Sequence, residues 1–263
     1  MYGVTQDPET KEYMIVMQYA NNGSLLSYLN QNINKLTWRM KLERLNDIAF
    51  YLLSIHGTRL VHCDLHSGNI IMHNDNMLEV SFICDLGLSQ SVNSCQPNST
   101  IRGVLPFIAP EVFYTRKFTQ ESDVYSFGII MYLMATGEPP FRDRQFNRDL
   151  ICDIMGGLRP TMPDSAPDEY KKLERCCDAD PDKRPDTHTI WIDISNLIKV
   201  AAKDKSDNNT WLTIYHTNVR PLSRLEKEGK YSSKLLPIGD FPKPRNSYES
   251  VAGIKTRMVT YLY

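Results

Sequence analysis

One stretch of the chain, from Asp123 to Thr136, is apolar on every side of the helix that its spacing predicts. A helix of this kind has no polar face for solvent, so other parts of the protein must surround it. Its fourteen residues are too few to cross a membrane, which takes about 20. Gly137 follows directly and suits the end of a helix. The chain therefore needs a folded core that is large enough to enclose this helix.

Composition places the chain among ordinary globular proteins. Its 263 residues are 41% hydrophobic and 23% charged, with a formal net charge of −1 at pH 7. This balance argues against a nucleic-acid partner, which needs a basic face. No run of about 18 apolar residues predicts a membrane span, and the first residues carry no signal-peptide pattern. We therefore expect a chain that stays inside the cell, in the cytoplasm, and that neither binds nucleic acid nor spans a membrane.

The cysteines carry no sign of a metal site. They include no C-x-x-C pair, and no paired histidines lie at zinc spacing. Inside the cell we expect free thiols. They are Cys63, Cys84, Cys95, Cys152, Cys176 and Cys177.

Hydrophobic periodicity predicts two hairpins and a series of helices. The first hairpin joins Tyr2–Val4 to the β-rich run Tyr13–Tyr19, and the second joins Ile70–Met72 to Leu78–Ile83. Ser24 is placed to cap a helix that begins at Leu25. The other helical patterns cover Thr37–Ile55, Asp123–Thr136, Arg148–Met155, Asp168–Cys176 and Thr187–Lys203.

The carboxy-terminal part of the sequence differs in composition. After about Asp204 the apolar density falls, and only isolated clusters such as Leu235-Leu236-Pro237-Ile238 interrupt a polar sequence. We expect a tail that is largely disordered or that docks on the rest of the protein as an extended segment.

Five short motifs follow one another over about 120 residues. They are His62-Cys63-Asp64-Leu65-His66-Ser67-Gly68-Asn69, Asp85-Leu86-Gly87, Ala109-Pro110-Glu111, Asp123-Val124-Tyr125-Ser126-Phe127-Gly128 and Asp180-Pro181-Asp182-Lys183-Arg184-Pro185. In order and spacing they resemble the protein kinases, most closely the tyrosine-kinase-like group of mostly serine/threonine kinases. The resemblance covers roughly residues 1 to 200.

The resemblance implies an α+β protein-kinase-like fold. Residues 1–20 would be a remnant of the amino-terminal lobe, a small antiparallel hairpin followed by the hinge. Residues 21–203 would form the mostly α carboxy-terminal lobe, and residues 204–263 a low-order tail.

The resemblance also implies the catalytic residues. In this family phosphoryl transfer depends on positioning and on compensation of phosphate charge. Asp64 would accept or orient the proton of the substrate hydroxyl, and Asn69 and Asp85 would bind Mg²⁺. His66 stands where serine/threonine kinases usually carry a lysine that touches the γ-phosphate. It either donates a hydrogen bond to phosphate or is only a histidine of the loop.

ATP is the implied cofactor beside Mg²⁺, and a protein of unknown identity is the implied substrate. Met17 falls at the gatekeeper position, and Gln18 to Ala20 form the hinge, whose backbone groups would meet adenine. Ser24 and Ile71 complete the implied nucleotide-binding set.

Other matching positions have structural roles in the family. Glu111 would pair with Arg184, and Asp123 would hold the backbone of the catalytic loop. Cys63 replaces the arginine that reads a phosphate on the activation loop, and a thiol cannot pair with phosphate. Val104 replaces a threonine that contacts the catalytic aspartate in serine/threonine kinases.

The glycine-rich loop and the strand lysine of the family have no match in this sequence. No G-x-G-x-x-G occurs, and Lys11, in the predicted hairpin turn, is the only lysine before the hinge. Met1 falls within the fourth strand of the amino-terminal lobe. We therefore expect weak or no phosphoryl transfer from the chain as written.

Three hypotheses follow. In the first, the chain is part of an active kinase, which the retained Asp64, Asn69 and Asp85 favour. Alternatively it is a pseudokinase or protein-binding scaffold, which the missing lysine and Cys63 favour. As a third alternative it is an unstable fragment, which a hairpin without neighbouring strands favours.

Overall fold

The computed structural model describes residues 2–16, 19–74, 79–94, 97, 100–203, 230–237 and 239–246. Within these ranges the α-helices are α1 Leu25–Asn32, α2 Trp38–Gly57, α3 Pro110–Thr115, α4 Gln120–Thr136, α5 Arg148–Met155, α6 Asp168–Lys171 and α7 Thr187–Lys203. The bounds predicted for α5 and α7 are confirmed. The helix predicted over Asp168–Cys176 is an α-helix only to Lys171 and continues as a 3₁₀-helix over Lys172–Cys177.

The strands are short and pair in twos. In chain order they are β1 Gly3–Gln6, β2 Tyr13–Val16, β3 Leu60–Val61, β4 Ile70–Asn74, β5 Glu79–Ile83, β6 Gln90–Ser91, β7 Ile101–Gly103 and β8 Lys234–Leu236. The antiparallel pairs are β1 with β2, β3 with β6, β4 with β5, and β7 with β8. Both predicted hairpins are present, and the predicted α+β class is confirmed.

Helix α4 lies at the centre of the core, as its all-round apolar sequence requires. It packs against α2, which also packs along α7. A capping box of Thr119 and Ser122 begins α4, and Gly137, at φ +74°, ends it. No helix in the described ranges is long and apolar enough to span a membrane. Every described cysteine is a free thiol, as the sequence predicts.

The amino-terminal hairpin lies apart from this core. The Asp7 carboxylate accepts hydrogen bonds from the N–H groups of Glu9 and Thr10, both at 2.8 Å, and so closes the turn. Among the described side chains, none before Leu25 belongs to the core cluster. The hairpin is therefore held by its own ladder and its turn.

The carboxy-terminal region corrects the sequence expectation in part. Residues 230–237 and 239–246, here called the docked segment, do not form a low-order tail. Strand β8 of this segment pairs with β7, with Lys234 opposite Gly103. Of the two alternatives left by the sequence, these residues adopt the second, docking as an extended segment. The rest of the predicted tail lies outside the described residues.

Candidate active site

One carboxylate at the start of α4 holds the loop 62–69. The N–H of His62 donates to Asp123 Oδ2 at 2.7 Å, and the N–H of Cys63 donates to Oδ1 at 3.1 Å. Nε2 of His56 lies 3.0 Å from Oδ2. Because Asp123 is buried and both of its oxygens are engaged, the loop backbone is fixed relative to the central helix. This is the role that the sequence predicts for Asp123.

Cys63 is turned into the protein. Its φ of +68° lies in the left-handed region that residues other than glycine rarely adopt, a form of strain that is common near active sites. The side chain is buried, and its thiol donates to the carbonyl of Val61 at 3.5 Å. The residue in the place of the phosphate-reading arginine therefore faces the core.

Asp64 and Asn69 contact each other across the loop. The Asn69 amide nitrogen donates to the Asp64 carbonyl at 2.8 Å and lies 3.5 Å from Asp64 Oδ2. Burial raises the pKa of the Asp64 carboxyl, and the nearby charge of Asp85 raises it further. The hydroxyl of Ser233, the His62 ring and the Asn69 amide act in the opposite direction. The net result is a carboxylate that binds a proton more readily than an exposed aspartate does.

The second hairpin brings Asp85 to this loop. The N–H of Cys84, just after β5, donates to the Asn69 carbonyl at 2.9 Å. The Cys84 carbonyl lies 3.1 Å from His62 Nε2. Asp85 follows at φ +62°, and its Oδ1 accepts the N–H of Gly87 at 3.2 Å. The side chain of Leu86, which follows Asp85, is 50% exposed, so it does not pack in the described core.

His66 is a buried, neutral member of the loop. The N–H of Gly68 donates to its Nδ1 at 3.0 Å, which leaves the ring proton of the neutral form on Nε2. That Nε2 lies 3.8 Å from Asp64 Oδ2. Burial is the main cause that lowers the pKa of His66 to about 4. A methyl group on Gly68 would lie 2.7 Å from His66 Cε1, so the ring is also held in place by its close approach to this glycine.

The oxygens of Asn69 and Asp85 fit a hard cation. Because the Asn69 amide nitrogen is engaged by Asp64, its oxygen is the atom left for a metal. Carboxylate and amide oxygens are the ligands that Mg²⁺ prefers, with water and phosphate oxygens completing its shell. No group of three or more His, Cys, Asp or Glu among the described residues could hold a metal on its own. A magnesium ion here would therefore depend on oxygens from the nucleotide and water.

The predicted nucleotide residues are only partly described. Met17 and Gln18 lie outside the described residues. Ser24 and Ile71 form a β-bridge with each other. The Ser24 hydroxyl accepts the N–H of Ser27 at 3.3 Å, so it caps α1. The half-buried Ala20 lies at the start of the same turn, where its carbonyl accepts the N–H of Gly23.

The predicted ion pair between Glu111 and Arg184 is present. Nη1 and Nη2 of Arg184 each lie 2.7 Å from a separate oxygen of Glu111, which is a bidentate arrangement. The guanidinium also stacks over the Tyr125 ring at 5.3 Å. This pair ties the start of α3 to the segment before α7.

Two residues beside Asp64 were missed by sequence reasoning. A methyl group on Gly103 would lie 3.4 Å from Asp64 Oδ1, so the backbone of β7 passes next to the carboxylate. Ser233 reaches the same carboxylate from the docked segment, 169 positions later in the chain. The only sequence signal was the apolar pair Leu235-Leu236 that follows it. Val104, after Gly103, is buried.

The fold and this loop define a protein kinase domain. The chain matches the family of protein tyrosine and serine/threonine kinases over residues 1–194, and it belongs to that family. The predicted family assignment is confirmed.

Curated relatives carry related names. The chain is 32% identical over 220 residues to probable serine/threonine-protein kinase roco5 of Dictyostelium discoideum, covering 78% of this chain and 8% of that protein. It is 32% identical over 232 residues to cyclic GMP-binding protein C of the same organism, covering 85% of this chain and 8% of that protein. A third relative there, probable serine/threonine-protein kinase roco8, is 34% identical over 189 residues, or 68% of this chain and 10% of that protein. The chain thus spans about a tenth of the length of these relatives.

Proposed function

We propose that this chain carries the catalytic loop of a serine/threonine protein kinase, which transfers the γ-phosphate of Mg-ATP to a protein hydroxyl. The observation that carries the proposal is the Asp64 carboxylate, buried and tied to Asn69 within a loop that Asp123 fixes. The relatives roco5 and roco8, both named as probable serine/threonine-protein kinases, support the choice of serine or threonine as acceptor. A cytoplasmic location remains a prediction from the sequence.

Asp64 is the group placed to take the proton of the acceptor hydroxyl. Its raised pKa makes it a better base than an exposed carboxylate, because a general base works best when its pKa lies closer to the pH at which the enzyme operates. The Asn69 amide donates to Asp64 and so limits the positions that the carboxylate adopts. Since phosphoryl transfer depends mainly on alignment, this rigidity is the contribution that the loop makes.

Asn69 and Asp85 would hold Mg²⁺. When bound, the ion neutralises phosphate charge and aligns the phosphates of the nucleotide. His66 adds no positive charge at neutral pH, because its pKa is lowered to about 4. Its Nε2–H is a neutral donor on the Asp64 side of the loop, suited to orienting the carboxylate or a phosphate oxygen.

The test is phosphoryl transfer by the full-length natural protein, measured with radiolabelled Mg-ATP and dephosphorylated casein. Asp64→Asn preserves side-chain size but removes the base, so the rate should fall by at least about 100-fold. Asp85→Asn should also abolish transfer. Asp168→Asn is the matched control, because this α6 side chain is 90% exposed, and it should leave the rate unchanged.

Thermal melting of each variant separates chemistry from folding. The expected result is loss of activity in the two site variants with melting curves close to wild type. Normal turnover by Asp64→Asn would overturn the assignment of the base.

A pseudokinase or binding scaffold on the same fold is the second candidate. It is favoured by the buried Cys63, which stands in the place of the phosphate-reading arginine. Titration with Mg-ATP distinguishes the two. A natural protein that neither binds nor turns over the nucleotide supports the scaffold and contradicts the kinase proposal. The hypothesis of an unstable fragment is tested by whether this chain melts cooperatively.

A further inference from the structure

The docked segment lies in front of the catalytic loop. Its strand β8 pairs antiparallel with β7, and Lys234 is opposite Gly103. Gly103 is the residue whose added methyl group would approach Asp64 Oδ1 to 3.4 Å. Paired strands lie about 4.8 Å apart. The strand register therefore places the residue before Lys234 next to the Asp64 carboxylate.

That residue is Ser233. Its Oγ is buried and has no hydrogen bond of normal geometry, yet it lies close enough to lower the pKa of Asp64. A buried hydroxyl without a well-formed partner costs about 1–3 kcal/mol. Alanine would avoid this cost, so packing alone gives no reason for a hydroxyl at this position. A hydroxyl beside a base is the arrangement that phosphoryl transfer to serine needs.

Contacts on both sides hold Ser233 at this point. On the amino-terminal side, the buried Tyr231 packs edge-on against Phe146 at 5.4 Å. The Lys230 ammonium lies over the Phe146 ring and donates to the Arg142 carbonyl. These contacts fix the chain just before the serine.

The other side is anchored more extensively. Leu236 is buried, and Phe241 packs against Phe113 at 6.0 Å with the Arg148 guanidinium over its ring. Further along, Asn246 accepts the N–H of Ala179 at 2.8 Å and donates to Asp178 Oδ1 at 2.9 Å. A segment tied at both ends therefore holds Ser233 beside the catalytic loop.

We propose that residues 231–236 occupy the groove in which a peptide substrate lies, and that Ser233 is an acceptor of phosphate in the same molecule. This inference rests on the proposed kinase function and names a substrate for it. The short reach from a paired strand to Asp64 suits serine, because a tyrosine hydroxyl at this position would extend beyond the carboxylate.

The step balances with a nucleoside triphosphate as donor. Ser233 Oγ forms a bond to the γ-phosphorus, and the bond from that phosphorus to the β,γ-bridging oxygen breaks. The hydroxyl proton passes to Asp64, and the nucleoside diphosphate leaves with the electron pair. The product places a phosphate beside Asp64 and near the charge of Asp85, so repulsion favours release of the segment.

The experiment incubates the full-length natural protein with Mg-ATP in the presence of dephosphorylated casein, and locates phosphate by tandem mass spectrometry. The expected result is phosphate on Ser233, with a first-order rate that stays constant over a tenfold range of protein concentration. Ser233→Ala should lack this phosphate and melt no lower than the wild type, because it removes a buried hydroxyl that makes no well-formed hydrogen bond. Ser232→Ala is the matched control and should keep it.

The remaining outcomes separate the two proposals. Phosphate on casein with none on Ser233 overturns the inference and leaves the kinase function standing. A Ser233 rate that rises in proportion to protein concentration also overturns it, because transfer would then run between molecules. Phosphate on neither protein contradicts the kinase function itself, and the inference falls with it.

Discussion

The two ends of the described chain contact the folded lobe in opposite ways. The hairpin β1–β2 leaves most of its described apolar side chains in solvent: Tyr2, Val4, Tyr13, Met14 and Val16 are all more than 40% exposed. The docked segment instead buries four side chains, Tyr231, Leu236, Phe241 and Asn246. The hairpin has the stronger strand pattern in its sequence, yet the segment with the weaker pattern makes the tertiary contacts.

The difference shows that a local pattern and a tertiary anchor are separate properties. The hairpin is specified by neighbours in sequence, through the Asp7 turn and a ladder of adjacent strands. The docked segment is specified by partners far away in sequence, such as Gly103 for Lys234. Stability should therefore depend on the carboxy-terminal segment more than on the hairpin.

Truncation of each end gives the largest expected effect. Removal of residues 230–263 exposes the partners of Leu236 and Phe241, and we expect a loss of about 4 kcal/mol, or roughly 10 °C in melting temperature. Removal of residues 2–16 should change the melting temperature by no more than about 2 °C, because none of the described side chains of the hairpin belongs to the core. Differential scanning calorimetry measures both.

The sequence alone leads to another expectation, that loss of residues 210–263 leaves the melting temperature nearly unchanged. The contacts of the docked segment reverse it. Equal melting temperatures for the full chain and the carboxy-terminal truncation would show that the segment does not stabilise the lobe.

Acidification distinguishes the covered loop from the exposed hairpin. The folded pKa of His66, about 4, is below its ordinary value of 6.5. The unfolded chain therefore binds the proton first, and stability falls as pH drops from 6.5 toward 4. The shift corresponds to about 3 kcal/mol over that range. Urea unfolding at several pH values measures it.

His66→Gln should flatten this part of the pH profile, since glutamine does not titrate. His188→Gln, at an exposed position of α7, is the control and should retain the wild-type slope. An unchanged slope in His66→Gln would place the acid sensitivity elsewhere.

In the hairpin, backbone N–H groups of Thr10 and Glu9 lower the pKa of Asp7, which is fully exposed.

Single substitutions give the smallest contrast. Phe241→Ala removes the ring of a residue that is 7% exposed and should cost about 2 kcal/mol of burial free energy. Tyr13→Ala removes a ring that is 77% exposed and should change stability by less than about 0.5 kcal/mol. Equal shifts of the urea midpoint in the two variants would contradict the proposed difference between the ends.

Much of the fold could be predicted because its signals are local. Ser24 caps α1, and Gly137 ends α4, each as a single residue whose type suits one backbone role. The pairing of β7 with β8 joins strands of three residues that are far apart in sequence. Neither strand is long enough to show alternation, so no local pattern predicts their partnership.

The candidate site shows the same distinction between features that local signals predict and features that depend on tertiary contacts. The resemblance to the kinase family implies that Asp64 and Asn69 share one loop and that Asp123 supports it, and their hydrogen bonds agree. The contribution of Ser233 depends on strand register, which spacing does not contain. The exposed position of Leu86 likewise depends on tertiary surroundings rather than on residue type.

Because the docked segment is covalently attached, it competes with any separate protein for the groove that it occupies. Because this segment belongs to the same chain as its binding site, it meets that site at an effective concentration on the order of millimolar. A separate protein at micromolar concentration would meet a groove that is already filled. Access for such a protein then depends less on its own affinity than on whatever dislodges the anchors at Phe241 and Asn246.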